Sequence, residues 1–261
     1  GSSLEAMGDR AAGVALKRDA LEIWRRLHAG VDHPNLATSL SNVGMSMQEM
    51  GYYAAALALQ REALDMRRRL HAEVDHPNLP DSLTNVGMLL EATGDREAGV
   101  ELQREALVMW RRLYAGTDHP HLAALLNNVG SSLEAMGDRP AGVALQREAL
   151  AMRRQLHAGV DHPDLAESLS VVGNSLEAMG PGNRSAGVQL QREALGMWRR
   201  LYAGSDHPHL AALLNNVGVS VEATGDRATG VELQCEALEM QRRLNSDGGQ
   251  SAPGRVAQQP R

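Results

Sequence analysis

The residues best suited to chemistry are histidines and aspartates, which recur together in the tripeptide Asp-His-Pro. The tripeptide begins at Asp32, Asp75, Asp118, Asp161 and Asp206. A histidine beside a carboxylate is a pairing used in general acid–base catalysis. At His119–His121 and His207–His209 the motif is extended to His-Pro-His, which offers two of the imidazoles that a zinc site would need.

Neither kind of chemistry is predicted once the surroundings of these histidines are considered. A zinc site needs three or four converging ligands, and no cysteine lies near the histidines in the sequence. Catalysis needs an enclosing pocket, whereas five copies of one motif are spread along the whole chain. The sequence therefore predicts no catalytic residue, no metal site and no cofactor, and it assigns the motif to helix starts.

The motif marks an internal repeat, because the tripeptide recurs at steps of 43, 43, 43 and 45 residues. Repeats of this length stack so that each contacts only its neighbours, and they present an extended surface. The predicted organisation is a partial repeat over 1–31, five full repeats over 32–74, 75–117, 118–160, 161–205 and 206–244, and a flexible tail over 245–261. The fourth repeat has two extra residues in its internal turn, which a surface turn tolerates at little cost.

Each repeat is predicted to contain two helices. In the repeat at 32–74, Asp32 is expected to cap the first helix and Pro34 to occupy its first turn. Gly51 is expected to end that helix. The apolar positions of the first helix recur at steps of three and four residues, at Leu36, Leu40, Val43, Met47 and Met50. A second helix, at about 54–71, has apolar residues on two faces, one for its partner helix and one for the next repeat.

A glycine recurs inside each first helix, where it lowers helix stability by about 1 kcal/mol relative to alanine. The positions are Gly44, Gly87, Gly130, Gly173 and Gly218. Because the glycine recurs although it lowers helix stability, we expect that the paired helix approaches closely at this position.

One position in the second helix alternates between aromatic and cationic residues. Trp110 and Trp198 alternate with Arg67 and Arg153, while Trp24 opens the series. Four residues later, Tyr114 and Tyr202 alternate with His71 and His157 in the same way. This pattern predicts a surface on which Trp/Tyr and Arg/His alternate from repeat to repeat.

Several of these markers together resemble tetratricopeptide (TPR) repeats, in particular the long repeats of kinesin light chains. The residues that carry the resemblance are Asp161-His162-Pro163, the run Leu126-Asn127-Asn128-Val129-Gly130, the turn residue Gly137, and Ala149-Leu150 in a second helix. The array also resembles the sensor arms of NB-ARC and NACHT signalling ATPases, although the chain has no Gly-x-x-x-x-Gly-Lys-Ser/Thr motif. The resemblance implies an all-α, right-handed α-solenoid (superhelix) of TPR-type antiparallel helix pairs.

The resemblance also implies that the first helices line a concave groove, where two sets of residues are candidate contacts. The acidic set is Gln48, Glu91, Glu134, Glu177 and Glu222, which would favour basic residues on a partner. The amide set is Asn42, Asn85, Asn128 and Asn216, with Asn127 and Asn215 beside it; amides both donate and accept, so they can bind a peptide backbone. The alternatives are a solvated helix face for the acidic set and inter-helix hydrogen bonds for the amide set.

Composition limits the partners and the compartment. The net charge of −6 disfavours nucleic-acid binding, although arginine pairs near the ends of second helices could follow phosphates. The single cysteine, Cys235, allows no intrachain disulfide and indicates a reducing compartment. No segment approaches 18 consecutive apolar residues, so we expect a cytoplasmic protein without a membrane partner.

The function favoured by the sequence is that of a non-catalytic scaffold for protein–protein interactions, binding a peptide or protein segment in the concave groove. An alternative is a self-assembling solenoid that forms head-to-tail oligomers or filaments through uncapped ends. A variant of both places the chain's own tail, with Arg255 and Arg261, in an acidic groove.

Overall fold

The computed structural model describes residues 10–72 and 74–248, which form eleven α-helices and no strand. The predicted half helix at 1–9 and most of the predicted tail lie outside the described residues. The chain divides into two compact units, Gly1–Asp138 and Arg139–Arg261, which are described separately below. Helices joined by short turns pack on each other as pairs, and each pair packs on the next within its unit. The predicted all-α class is therefore confirmed.

The first unit contains six helices. Its helices are α1 (Arg10–Leu27), α2 (Pro34–Glu49), α3 (Tyr53–Leu70), α4 (Asn78–Ala92), α5 (Arg96–Leu113) and α6 (Pro120–Ala135). Helices α2 and α3 form one pair, and α4 and α5 form the next. The predicted apolar stripe forms the centre of the unit, where Leu40, Leu83 and Leu126 are fully buried.

The second unit contains five helices. They are α7 (Arg139–Leu156), α8 (Pro163–Ala178), α9 (Pro181–Leu201), α10 (Pro208–Glu222) and α11 (Arg227–Gly248). Helix α11 continues to Gly248, so the prediction that the chain leaves the helix at 245 is wrong for residues 245–248. The physical reason is the missing glycine: Gly116 and Gly204 adopt φ near +80° after their helices, whereas Asp247 stands at the corresponding position of the sequence.

The Asp-His-Pro motif begins the first helix of a repeat, but histidine and aspartate have roles other than the predicted ones. The prediction that Asp32 caps the helix is wrong. His33 is the cap residue, and its Nδ1 accepts a hydrogen bond from the backbone N–H of Asn35 at 3.1 Å. Asp32 instead accepts two hydrogen bonds from the Arg69 guanidinium, at 2.7 and 2.8 Å, which hold the pKa of Asp32 below its usual range. The motif thus ties the start of one helix to the end of the second helix in the same repeat.

The alternating positions Trp110, Trp198, Arg67 and Arg153 are buried, so the predicted surface is wrong for them, whereas the tyrosine and histidine positions four residues later are partly exposed. Trp110 and Trp198 are 3% and 5% exposed, and Arg67 and Arg153 are 8% and 7% exposed. Their side chains lie in the junction between one repeat and the next, because the two-faced second helix buries this position against the following first helix. Burial lowers the pKa of Arg67, as expected for a cation removed from water.

The buried arginines are matched by hydroxyl groups on the following helix. The Arg153 guanidinium donates to Ser168 Oγ and to the carbonyl oxygen of Asp164, both at 2.7 Å. Arg67 likewise donates to Ser82 Oγ. At Trp110 and Trp198 the residue 15 positions later is leucine, and Trp198 shares a hydrophobic cluster with Leu213. These arginine and tryptophan junctions are therefore of two kinds, one polar and one apolar.

Ring stacking holds the capping histidine at each described junction. The ring of the residue after the second helix lies 3.6–4.0 Å from the ring of the capping histidine, centroid to centroid. The pairs are His28–His33, His71–His76, Tyr114–His119, His157–His162 and Tyr202–His207. Among these stacked rings, burial lowers the pKa of His71, His119 and His157, so their protonation is unfavourable.

We expect the protein to lose stability as the pH falls from 7.5 to 5.5. Burial, and next the neighbouring histidine, lower the pKa of His71, His119 and His157. An unfolded chain titrates its histidines near pH 6.5, so it binds more protons than the folded chain below that pH. The histidine contribution to stability is therefore present above about pH 6.5 and is lost as the pH falls toward the lower folded-state values. Urea unfolding midpoints at pH 7.5, 6.5 and 5.5 measure this loss.

A tyrosine variant provides the control for the pH effect. Tyr114 and Tyr202 stack on a capping histidine as His157 does, but tyrosine carries no charge in this range. The double variant His71→Tyr and His157→Tyr should show a smaller fall of the urea midpoint between pH 7.5 and 5.5 than the wild type. An equal fall in both proteins would contradict the assignment to these two rings.

Candidate binding surface

The predicted amide set lies on the outward face of the first helices. Asn42 and Asn128 are exposed and Asn85 is partly exposed, at the same position of α2, α4 and α6 in the first unit. Their side chains form no hydrogen bond with any described residue, so the alternative that they hold the helix pairs together has no support in residues 10–72 and 74–248. In the second unit Asn215 and Asn216 are exposed on α10, and Val171 replaces the amide on α8.

Asn127 differs from the other amides. Its side chain is 8% exposed and faces the interior beside Asn128. A partner in solution does not reach a side chain buried to this extent, so Asn127 belongs to the packing of α6 rather than to the outward face.

The acidic set lies deeper than the amide set. Gln48, Glu91 and Glu134 in the first unit, and Glu177 and Glu222 in the second, are all partly buried. Two of them are shown to line the contact between the helices of a pair: a Cβ added to Gly99 would lie 2.7 Å from Glu91 Cγ, and a Cβ added to Gly187 would lie 2.8 Å from Glu177 Cγ. The carbon stems of these glutamates therefore fill space beside a glycine of the second helix.

Glu91 is also engaged through both carboxylate oxygens. Oε1 accepts a hydrogen bond from Gln103 Nε2, and Oε2 accepts one from Ser132 Oγ at 2.6 Å. One carboxylate thus joins α4, α5 and α6. In the second unit Glu222 pairs with Arg227 at 3.3 Å. These glutamates have structural partners, which the amides of the outward face do not have.

The buried glutamines of the second helices were not recognised in the sequence. Gln60 and Gln103 in the first unit and Gln191 in the second are at most 2% exposed, opposite the recurring glycines. Gln60 Nε2 donates to the Ser41 carbonyl at 3.0 Å, and Gln191 Nε2 donates to Asn174 Oδ1 at 2.6 Å. Their recurrence in register with the glycines was the signal that could have identified them.

The arginine pairs are neutralised by carboxylates. Arginines near the end of one second helix pair with a glutamate on the next second helix, at N–O distances of 2.5–2.8 Å: Arg25–Glu62, Arg68–Glu105, Arg154–Glu193 and Arg199–Glu236. Phosphate binding would require breaking these pairs. Their arrangement supports the prediction that nucleic acid is not a partner.

One group of potential metal ligands occurs among the described residues. His157, His162 and Asp164 offer atoms within 4.8 Å of one another. The two imidazole rings stack at 3.6 Å and 8°, so their nitrogen lone pairs lie in two nearly parallel planes, and His162 Nδ1 already accepts a hydrogen bond from the Asp164 N–H. The buried Arg153 guanidinium donates to the carbonyl oxygen of Asp164, and its positive charge disfavours a metal cation at this site. This geometry supports the prediction of no metal site.

Comparison with known proteins identifies the repeats. The family model described as tetratricopeptide repeat matches residues 1–69 and 78–155, which is more than half of the chain. This chain is a TPR protein. A search of the curated proteins finds no significant match.

Solved structures share the TPR fold. BtubC (BKLC) from P. vanneervenii superposes with a TM-score of 0.75 at 20% identity, covering 96% of this chain and 97% of that one. The nearly identical TPR-like repeats of a Podosopora anserina protein assigned as a kinesin light chain give 0.69 at 19% identity, covering 82% and 99%. A MamA fragment from Desulfovibrio magneticus RS-1 gives 0.58 at 14% identity, covering 79% and 96%.

These likenesses confirm the predicted solenoid of TPR-type helix pairs and its similarity to kinesin light chain repeats. TPR repeat proteins are in general non-catalytic scaffolds, and the TPR repeats of this chain support a role as a scaffold for protein interactions. The likeness to NB-ARC and NACHT sensor arms stays a prediction. Across the described residues, every helix is too short or too polar to span a bilayer.

Proposed function

We propose that the outward face of α2, α4 and α6 binds an extended segment of a partner protein through Asn42, Asn85 and Asn128. The observation that carries the proposal is that these three amides are accessible and make no hydrogen bond within the described residues, although they recur at every 43rd position. An amide left free in this way can both donate to and accept from a peptide backbone, whatever the side chains of the peptide.

The same face also offers apolar contacts. Met45 and Met88 are 48% and 38% exposed, one helical turn beyond the asparagines on α2 and α4. Methionine adapts its shape to different apolar partners. A segment held by its backbone and packed on these methionines is therefore a better match to the face than a rigid ligand.

A preference for basic partners is the weaker part of the proposal. Glu91 has two hydrogen-bond donors of its own chain, and the carboxylates of the acidic set are partly buried. A basic side chain would have to compete with Gln103 and Ser132 for Glu91. We therefore infer that the amides contribute most of the affinity and that the glutamates contribute a modest preference.

Selection from a displayed library of random 12-residue peptides, followed by affinity measurement on the full chain, tests this proposal. The triple variant Asn42→Ala, Asn85→Ala and Asn128→Ala should weaken selected peptides by about 100-fold, since three hydrogen bonds of about 1 kcal/mol each are lost. The variant Asn245→Ala removes an exposed amide from α11 and should leave affinity unchanged. Glu91→Gln should change affinity for lysine- and arginine-rich peptides by no more than about 5-fold. Selected peptides that bind the triple variant as tightly as the wild type would contradict the proposal.

Self-association is a second candidate function, favoured by one observation on α11. Val188 and Leu195 of α9 are 5% and 4% exposed, whereas their counterparts on α11, Val231 and Leu238, are 45% and 47% exposed. We propose that a second copy covers this face. Sedimentation of the wild type should then depend on concentration, and Leu238→Glu should abolish that dependence. A wild type that sediments as a monomer at all concentrations would exclude this candidate.

A further inference from the structure

The turn between α2 and α3 departs from the equivalent turns of the array. It reads Gly51-Tyr52-Tyr53, where the partial repeat and three of the other full repeats read Gly-Asp-Arg, for example at Gly94-Asp95-Arg96. Asp95 caps its helix by accepting from the Ala98 N–H at 3.3 Å, while Tyr52 occupies the cap position without any side-chain hydrogen bond. The first turn of α3 therefore lacks a stabilising side-chain cap. A local loss of stability of this kind is expected mainly at functional sites.

The exchange also removes the partner of an arginine. In the second unit Arg192 forms an ion pair with the turn residue Asp226 at 3.4 Å. The residues at the corresponding positions, again 34 apart, are Arg18 and Tyr52. A phenol gives no ion pair, and the Arg18 guanidinium donates instead to the thioether sulfur of Met47 at 3.7 Å. A thioether is a weak acceptor, and no carboxylate of residues 10–72 or 74–248 pairs with Arg18.

The unpaired arginine borders an apolar cleft of 430 Å³. The cleft is lined by Val14, Ala15, Arg18, Met47, Met50, Tyr52 and Ala55, all in the first unit. Tyr52, which lines the cleft, and the next residue, Tyr53, are 60% and 44% exposed. Exposed tyrosines beside an arginine are the residue types enriched where proteins bind each other.

We propose that this cleft docks a partner segment that presents an aspartate or glutamate side chain to Arg18 and an apolar side chain to Met47 and Met50. Charge complementarity determines the class of partner, because the partner's carboxylate would take the position relative to Arg18 that Asp226 takes relative to Arg192. The tyrosines cover the docked apolar side chain. The site is separate from the amides of the outward face, so it is independent of the function proposed above.

The array itself supplies the variant that tests the docking site. Tyr52→Asp with Tyr53→Arg converts the turn into that of the other repeats and should restore both the helix cap and the ion pair to Arg18. The double variant is therefore expected to unfold at a higher urea concentration than the wild type while losing the site. A second variant, Arg18→Gln, removes the charge from an exposed position and should not affect folding. Arg192→Gln is the matched control, since Asp226 already occupies its site.

In the experiment, a displayed library of random 12-residue peptides is selected for binding to the full wild-type chain. Peptides that also bind the Tyr52→Asp, Tyr53→Arg variant are then removed. The remaining peptides should share an acidic residue beside an apolar one. They should lose at least tenfold in affinity on Arg18→Gln, yet bind Arg192→Gln and the triple asparagine variant like the wild type.

Three outcomes would overturn the docking proposal. The first is that no peptide distinguishes the wild type from the Tyr52→Asp, Tyr53→Arg variant. The second is that the remaining peptides lack acidic residues or tolerate Arg18→Gln. The third is concentration-dependent sedimentation of the wild type that the Tyr52→Asp, Tyr53→Arg variant abolishes, because the occupant would then be a second copy of the chain.

Discussion

Replacing Ser168 by leucine should lower the free energy of unfolding by about 2–3 kcal/mol, because the buried Arg153 guanidinium loses its hydroxyl acceptor. A tryptophan or arginine on the second helix can be combined with a serine or leucine 15 residues later. Of these four combinations, the chain contains three. They are Trp24–Ser39; the arginine–serine pairs Arg67–Ser82 and Arg153–Ser168; and the tryptophan–leucine pairs Trp110–Leu125 and Trp198–Leu213. Arginine with leucine is the missing combination, and it is the one that Ser168→Leu creates.

The other variants of this pair should be milder. Arg153→Trp reproduces the combination of Trp24 with Ser39 and should cost no more than about 1–2 kcal/mol of overpacking. The double variant Arg153→Trp and Ser168→Leu reproduces the apolar junction of Trp198 with Leu213 and should recover most of the stability lost in Ser168→Leu. The coupling free energy between the two substitutions should therefore reach about 2 kcal/mol.

Urea unfolding of the wild type, the two single variants and the double variant measures this coupling. If the two single effects simply add in the double variant, the serine and the arginine do not form a matched pair. If Arg153→Trp proves more harmful than Ser168→Leu, desolvation of the buried arginine is not the dominant effect.

Recurrence within the chain accounts for how much of the fold could be predicted. The helix pairs follow from apolar spacing, glycine turns and a fixed period, and these depend on local backbone geometry. Close packing at Gly87 was also predictable. A glycine inside a helix lowers helix stability by about 1 kcal/mol relative to alanine, so its presence indicates a compensating contact. The position of Trp110 was not predictable in the same way. Its helix has two apolar faces, and the sequence does not show which polar or aromatic residues at their edges become buried.

The candidate site was predicted less well because residue type does not reveal hydrogen-bond partners. Glu91 and Asn85 look alike in sequence, as polar residues at a fixed step on a first helix. In the structure Glu91 has two donors from neighbouring helices, whereas Asn85 has no partner among the described residues. Asp32 was assigned to the helix cap for the same reason, since its true partner, Arg69, lies 37 residues away.

Changing Gly87 to alanine should lower the free energy of unfolding by about 1–2 kcal/mol, whereas the same change at Gly44 should be close to neutral. A Cβ at position 87 would lie 2.7 Å from the backbone oxygen of Gly99 and 2.8 Å from Gln103 Cγ, so the two helices would have to separate. That overpacking costs about 1–3 kcal/mol and exceeds the gain of about 1 kcal/mol from replacing a helical glycine.

Gly44 provides the matched control within the same unit. The three atoms nearest to a Cβ there all belong to the Gln60 side chain, at 3.1–3.2 Å, and the residue corresponding to Gly99 is Ala56, so this helix pair already accommodates a methyl group. A small shift of Gln60 and the gain in helix propensity should roughly cancel. Gly173→Ala repeats the test in the second unit, where the Cβ would lie 2.7 Å from Gln191 Cγ and 2.9 Å from the Gly187 oxygen. If urea midpoints for the Gly44 and Gly87 variants fall equally, backbone contact between the paired helices does not explain why glycine recurs there.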